Sequence, residues 1–244
     1  MFPSVFKIAQ VLPLLKKPGL DRMEPANYRP ISNLNTISKV IERLVLARLR
    51  PHLMQSDNFS RFQSAYRADH STETALLHAL NNVYSSIDEK KLTVLVALDI
   101  SAAFDSVNHQ LLLRCLKSVF GVSGMILNWL SSYLHDRHQY VQLGRHRSSS
   151  VLCPSGVPQG GVLSALLFIA HVAPVGDVIS GCGMDYHQYA DDTQLFIAVR
   201  ASTIQSDLSV IEVCSTLVQQ WFAINELLLN PDKSEASSSA HLLS

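Results

Sequence analysis

Tyr189-Ala190-Asp191-Asp192-Thr193-Gln194-Leu195-Phe196-Ile197-Ala198-Val199 sets two adjacent carboxylates at the head of an apolar run. Buried carboxylates are unfavourable unless something cationic offsets them. On an extended strand, neighbouring side chains point to opposite faces. Asp191 and Asp192 can therefore serve one site only where the chain turns. The stretch predicts a tight hairpin with the Asp pair at its tip, holding a hard divalent cation.

Upstream, Leu92 to Leu98 is a continuous apolar run, too short for a buried helix and rich in β-formers. It predicts a central strand ending at Asp99. A lone Asp at a strand end is more often a cap or turn former, but beside the hairpin it would be a third carboxylate on one sheet edge. Such a cluster repels itself when empty and is favourable around Mg²⁺, which prefers carboxylate and phosphate oxygens. Two such ions about 3.5–4 Å apart can stabilise the attacking and leaving oxygens of in-line phosphoryl transfer.

Working outward, residues 1–35 are broken by six Pro and Gly positions and read as short strands and loops. Ser32 to Leu53 has helical periodicity, and Ser71 with Glu73 and Thr74 offers a cap for a helix running to about Ile87. Helical patterns follow around Leu111 to Leu116, Ser123 to Leu134, Val162 to Ile179 and Leu208 to Leu229. Tyr140 to Leu143 and Ser149 to Cys153 flank a turn and predict a hairpin. Strands and helices mix without βαβ regularity, which indicates an α+β fold.

The 244 residues are 47% hydrophobic and 16% charged, which excludes global disorder and allows a sizeable core. Net charge is formally zero, yet Lys7, Lys16, Lys17, Arg22, Arg29, Lys39, Arg43, Arg48 and Arg50 crowd the first 50 residues. That excess could face a polyanion or form a solvated helix face. The four cysteines lack disulfide or zinc spacing. With no run of about 18 uninterrupted apolar residues and no signal-peptide layout, the expectation is no membrane span and an intracellular location, cytoplasm and/or nucleus.

Six pieces stand in one order: Asn27-Tyr28-Arg29-Pro30-Ile31-Ser32, Phe62-Gln63-Ser64-Ala65-Tyr66-Arg67, Leu98 to Val107, Gly156-Val157-Pro158-Gln159-Gly160-Gly161, Tyr189-Ala190-Asp191-Asp192 and Leu229-Asn230-Pro231-Asp232-Lys233-Ser234-Glu235. From about Phe6 to Glu235 the chain thereby resembles the reverse transcriptases of non-LTR (LINE-type) retrotransposons. Any one piece is weak; six in order are specific. The resemblance implies right-hand polymerase fingers and palm, with an antiparallel palm sheet packed by helices. Fingers-like residues would span 1–91 and the palm 92–235, with part of the fingers interleaved near 110–150 and a frayed tail at 236–244.

It also implies an RNA-directed DNA polymerase that adds dNTPs to a DNA primer on an RNA template, using two Mg²⁺ ions, for which Mn²⁺ can substitute. Position by position, Asp99, Asp191 and Asp192 resemble the metal-binding triad, with Ile100 lending a backbone carbonyl and Asp192 a weaker or outer ligand. Arg29, with Lys16 or Lys17, resembles the cations that hold the triphosphate. Phe104 stands where a bulky aromatic would exclude a 2′-hydroxyl, or is an ordinary core residue. Gln159 and Gly160 would meet the nucleotide, and Gln63, Arg67, Pro158 and Tyr189 the template or primer. Lys233 resembles a general acid for the leaving pyrophosphate, or is a surface lysine. Asp105 reads as the cap of a helix beginning near Ser106.

Gly161-Val162-Leu163-Ser164-Ala165 departs from the Ser-Val-Leu-Gly-Pro expected of the family. The resemblance further implies a thumb and an endonuclease domain, for which the 244 residues leave no room, so the chain reads as a truncated fragment. The alternative is an inactive retroelement remnant that at most binds nucleic acid. A metal nuclease or nucleotide cyclase would need neither the Phe104 gate nor the Pro158-Gln159-Gly160 loop.

Overall fold

A computed structural model describes residues 1–200 and 202–238. Strands β1 (Ile8–Leu15) and β2 (Tyr28–Asn33) pair antiparallel, with Gln10 opposite Asn33. Helix α1 (Thr36–Met54) starts later than the periodicity predicts, because Ser32 and Asn33 are used by β2; the Asn35 side chain caps it by accepting from the Ile37 N–H. Helix α2 (Thr72–Asp88) begins at a reciprocal capping box of Ser71 and Thr74. Strand β3 (Leu92–Leu98) falls on the predicted apolar run.

Helices α3 (Ala103–Ser106), α4 (His109–Ser118) and α5 (Gly124–Leu134) follow. Asp105 lies inside α3, and the cap of α4 is Asn108, whose Oδ1 accepts from the N–H groups of Gln110 and Leu111 at 2.8 and 3.0 Å. The capping role expected of Asp105 thus belongs to Asn108. The predicted hairpin becomes β4 (Arg137–Leu143), β5 (His146–Arg147) and β6 (Val151–Cys153), with both short strands pairing back on β4.

The single helix expected over 162–179 is two, α6 (Ser164–Val172) and α7 (Val175–Gly181), separated at Ala173 and Pro174, where proline has no N–H to continue the ladder. Ser164–Gly181 matches a membrane span by length and composition, with a mean hydropathy of 1.5, yet 67% of it is buried inside the protein, as a core segment would be. Strands β7 (Asp185–Tyr189) and β8 (Asp192–Val199) form the predicted hairpin. Helix α8 (Ile204–Ile224) ends before the predicted Leu229, and β9 (Glu235–Ser238) closes the described chain. Residues 236–238, expected to fray, pair with Val94 to Val96 of β3; residues 239–244 lie outside the described residues.

The chain divides into two compact units, 1–56 with 104–168 and 57–103 with the described residues from 169 onward. The sequence-based boundary at 91 falls inside the second unit, because α2 packs on β3 and β7. In the first unit the sheet runs β2-β1-β4-β5, with β6 also on β4; β1 and β4 are parallel, and Leu112, Leu116, Leu130 and Leu134 of α4 and α5 are fully buried. In the second unit the sheet is antiparallel, in the order β7-β8-β3-β9. Leu195 and Phe196 of β8 share its core with Cys214, Val218 and Phe222 of α8.

Candidate active site

In the second unit, Tyr189 pairs with Asp192, which leaves Ala190 and Asp191 as a two-residue turn. Ala190 takes a φ of 58°, a left-handed conformation that favours glycine. The buried Gln63 amide grips this peptide: its Oε1 accepts from the Ala190 N–H at 3.0 Å, and its Nε2 donates to the Ala190 carbonyl at 3.2 Å. The same Oε1 accepts from the Ala65 N–H at 3.0 Å. Gln63 was expected at the template or primer; at 1% exposure, with its amide engaged by the turn, it faces the protein interior instead. Around it, the Gln188 N–H donates to the Phe62 carbonyl at 2.9 Å, the Ser64 N–H donates to the Gln188 carbonyl at 3.0 Å, and Ser64 Oγ lies 2.8 Å from His187 Nε2.

Asp99 stands one residue past β3 and is met by the segment before β9. Asn230 Nδ2 donates to Asp99 Oδ2 at 3.1 Å, and Lys233 Nζ lies 3.4 Å from the same oxygen. The Asn230 N–H donates to the Asp99 carbonyl at 2.8 Å, and the Ser101 N–H to the Leu228 carbonyl at 2.7 Å. These two bonds flank the Ile100–Leu229 bridge, so the Ile100 peptide groups point away from that pairing. The Ile100 carbonyl is thus directed outside the bridge while its side chain is buried.

The three carboxylates feel one another. Burial raises the Asp191 carboxyl above its usual range, Asp99 adds to the rise, and Lys233 opposes it. Burial also raises Asp192, with the charges of Asp191 and Asp99 adding and Lys233 again opposing. Tyr66, with a φ of 58°, has its hydroxyl pKa raised by burial and then by Asp191 and Tyr189. Tyr189 is half-buried.

The first unit holds the glycine-glutamine loop. Gln159 Nε2 donates to Asp105 Oδ2 at 3.0 Å; burial raises the Asp105 carboxyl and this bond lowers it, although the residue as a whole is exposed. The Gly156 N–H donates to the Val107 carbonyl at 2.8 Å and the Val157 N–H to the Phe104 carbonyl at 2.7 Å. Gly160, with a φ of 112°, passes so close to the Ser32 carbonyl that a Cβ would lie 2.6 Å from its oxygen. No other residue fits there without moving backbone. Half-buried Phe104 stacks on Phe168 with centroids 4.9 Å apart.

A model of the family described as reverse transcriptase (RNA-dependent DNA polymerase) matches residues 15–243. The chain belongs to the reverse transcriptase family. It is 32% identical over 203 residues to a probable RNA-directed DNA polymerase from transposon BS of Drosophila melanogaster, covering 83% of this chain and 21% of that protein. It is 28% identical over 237 residues to the RNA-directed DNA polymerase from mobile element jockey of the same organism, covering 95% and 25%. This reverse transcriptase chain therefore spans about a fifth to a quarter of the length of these relatives. Its fold is similar to that of apo telomerase from Candida Tropicalis truncated from the C-terminal domain, with a TM-score of 0.68 at 14% identity, over 98% of this chain and 51% of that one. The α+β fold read from the sequence is thus the reverse transcriptase fold.

Reverse transcriptases use divalent metal ions. Among the described residues, no three His, Cys, Asp or Glu side chains are grouped closely enough to enclose an ion unaided. Mg²⁺ does not need such a cage, since it commonly takes one or two carboxylates and completes its shell with water and substrate phosphates. The hard oxygen donors of Asp99 and Asp191 fit an ion of that kind, which would compete with the Lys233 ammonium beside Asp99.

Of the remaining residues expected in the site, Arg29 is exposed on β2 opposite Leu14. Lys16 Nζ donates to the Ala26 carbonyl at 2.7 Å and so braces its own loop, and Lys17 is exposed. Arg67 donates to the Arg61 carbonyl at 3.0 Å. The Pro158 carbonyl accepts from Ser164 Oγ at 2.7 Å.

Sequence reasoning missed Glu42 and Asn230. Fully buried Glu42 accepts from Tyr133 Oη at 3.1 Å and from the N–H groups of Val162 and Leu163 at 2.7 and 3.2 Å, while Ser38 Oγ donates to its other oxygen at 3.0 Å. It thereby pins the C-terminal end of the Gly160-Gly161 loop. The available signal was an acid among the helical apolar positions of α1, where a solvated side chain is the usual reading.

Proposed function

We propose that this chain carries the polymerising core of a non-LTR retrotransposon reverse transcriptase, extending a DNA primer with dNTPs on an RNA template inside the cell. The observation that carries the reading is that Asp99, held by Asn230 and Lys233, lies within electrostatic reach of Asp191 in the hairpin turn. Asp99 and Asp191, with the Ile100 carbonyl, would hold two Mg²⁺ ions, and Asp192 would bind more weakly or through water. When bound, the ions supply charge stabilisation at the attacking and leaving oxygens of phosphoryl transfer, and Mn²⁺ can substitute.

The chain's own residues do the rest. Lys233, whose ammonium stands 3.4 Å from Asp99 Oδ2, would supply a proton to the leaving pyrophosphate. Arg29 offers a guanidinium fork to the triphosphate. Phe104 limits space beside the sugar, and Gln159 and Gly160 bring a polar side chain and bare backbone to the nascent base pair. Residues 92–235 would be the palm and 1–91 fingers-like, with part of the fingers interleaved near 110–150.

The test is Mg²⁺-dependent dNTP incorporation by the purified chain on a primed RNA template. Incorporation that disappears in Asp191→Asn supports the reading. A folded chain that binds RNA and incorporates nothing would overturn it in favour of an inactive remnant.

A further inference from the structure

Gln63 is the side chain whose placement the polymerase reading does not use. Its amide is buried, and it closes a two-point contact on the N–H and the carbonyl of the left-handed residue of the hairpin turn, Ala190. Gln63 is itself held in place. The Ala65 N–H shares its Oε1, and residues 62–64 run beside β7 through a parallel bridge to Gln188. A non-glycine residue persists in the left-handed region only where its surroundings over-determine it. Here the paired β7 and β8 call for a left-handed turn residue and one amide side chain holds it there, and the next residue along the chain is Asp191.

We propose that Gln63 is a positioning residue for Asp191. It fixes the Ala190 peptide in the left-handed state, and that state sets the direction in which the Asp191 carboxylate leaves the turn. The role requires both ends of the amide, an acceptor for the N–H and a donor for the carbonyl, which explains a fully engaged glutamine at a position where any apolar residue could fill space. The inference rests on the reading of Asp191 as a metal ligand.

Two measurements on the purified chain, exchange of the Ala190 amide proton and Mn²⁺ affinity by electron paramagnetic resonance, separate the clamp from that reading. Gln63→Leu should speed exchange of the Ala190 N–H by about tenfold or more while the β3 and β8 amides stay protected. It should also weaken Mn²⁺ binding by about tenfold, the scale of one left-handed residue. Ala190→Gly in the Gln63→Leu background removes the left-handed penalty and should restore Mn²⁺ affinity to within about threefold. Gln63→Met, unbranched and close to glutamine in length, loses both contacts without burying a charge; it is the variant measured if leucine does not fold, and both readouts should move as for leucine. A folded Gln63→Leu chain with unchanged exchange at Ala190, or a loss of affinity that Ala190→Gly does not repair, overturns the proposal. Absence of any Asp191-dependent Mn²⁺ binding by the wild-type chain would instead remove the metal reading, and the exchange measurement would still decide the clamp.

Discussion

Lys233 Nζ lies 3.4 Å from Asp99 Oδ2, so a protein cation already neutralises one carboxylate of the candidate metal site. The lysine side chain is 64% exposed, which makes the pair weak and salt-sensitive. Lys233→Met should therefore tighten Mn²⁺ binding at low ionic strength by up to about fivefold, the equivalent of about 1 kcal/mol, and the gain should shrink in high salt. If Lys233 also protonates pyrophosphate, the same variant loses turnover while gaining metal. Unchanged affinity at low salt would mean that the pair does not compete with the ion.

Burial raises the Asp191 carboxyl, and the Asp99 charge adds to it. A carboxyl raised in the folded chain holds its proton more tightly there than in the unfolded chain, so ionising it subtracts from stability as pH rises. The loss is absent below the unfolded carboxylate range, about pH 4, and complete above the raised folded value. Asp191→Asn should raise the melting temperature of the metal-free chain at pH 7 by no more than about 2–4 °C, since solvent screens a half-open group. The gain should vanish toward pH 4, and excess Mg²⁺ should stabilise wild type but not the variant. Equal melting curves at both pH values would refute the assignment.

The departure at Gly161 and Ser164 is a matched pair. A Cβ at Gly161 would sit 2.5 Å from Ser164 Oγ, and that hydroxyl donates to the Pro158 carbonyl at 2.7 Å. Gly161→Ser alone should destabilise the chain by about 1–3 kcal/mol in urea titration, as overpacking does. Adding Ser164→Gly should recover part of that loss, a coupling that a double-mutant cycle measures directly. Strict additivity would show that the two positions are independent.

Phe104 offers one half-buried face, since the other stacks on Phe168 at 4.9 Å. Stacking holds the ring in place, as a steric gate needs. In the primed-RNA assay Phe104→Ala should raise ribonucleotide incorporation relative to dNTP incorporation. An unchanged ratio, with incorporation intact, would return Phe104 to the core.

The parts of the fold legible in the sequence are those set by local pattern. The run Leu92–Leu98 reads as a central strand, and the adjacent Asp191 and Asp192 demanded a turn between apolar segments; both are where the pattern puts them. Local pattern misjudged α6 and α7, where an apolar stretch hid the break at Pro174, and α8, whose periodicity runs on past its end at Ile224. The family resemblance placed Gln63 at the nucleic acid, whereas the structure turns its amide to the Ala190 backbone.

By itself the sequence determined the family, the order of the motifs and the three carboxylates, because residue type and spacing along the chain carry that information. Only the tertiary structure decided what holds them. Gln63 reaches Ala190 across 127 positions, Asn230 reaches Asp99 across 131, and Glu42 reaches Val162 across 120. No periodicity encodes such contacts, since each depends on where two distant backbones come to rest. A buried amide or carboxylate at those places must find partners or destabilise the fold. The hairpin turn that opens the reading is therefore written locally in its aspartates and set in place by a glutamine far away in the chain.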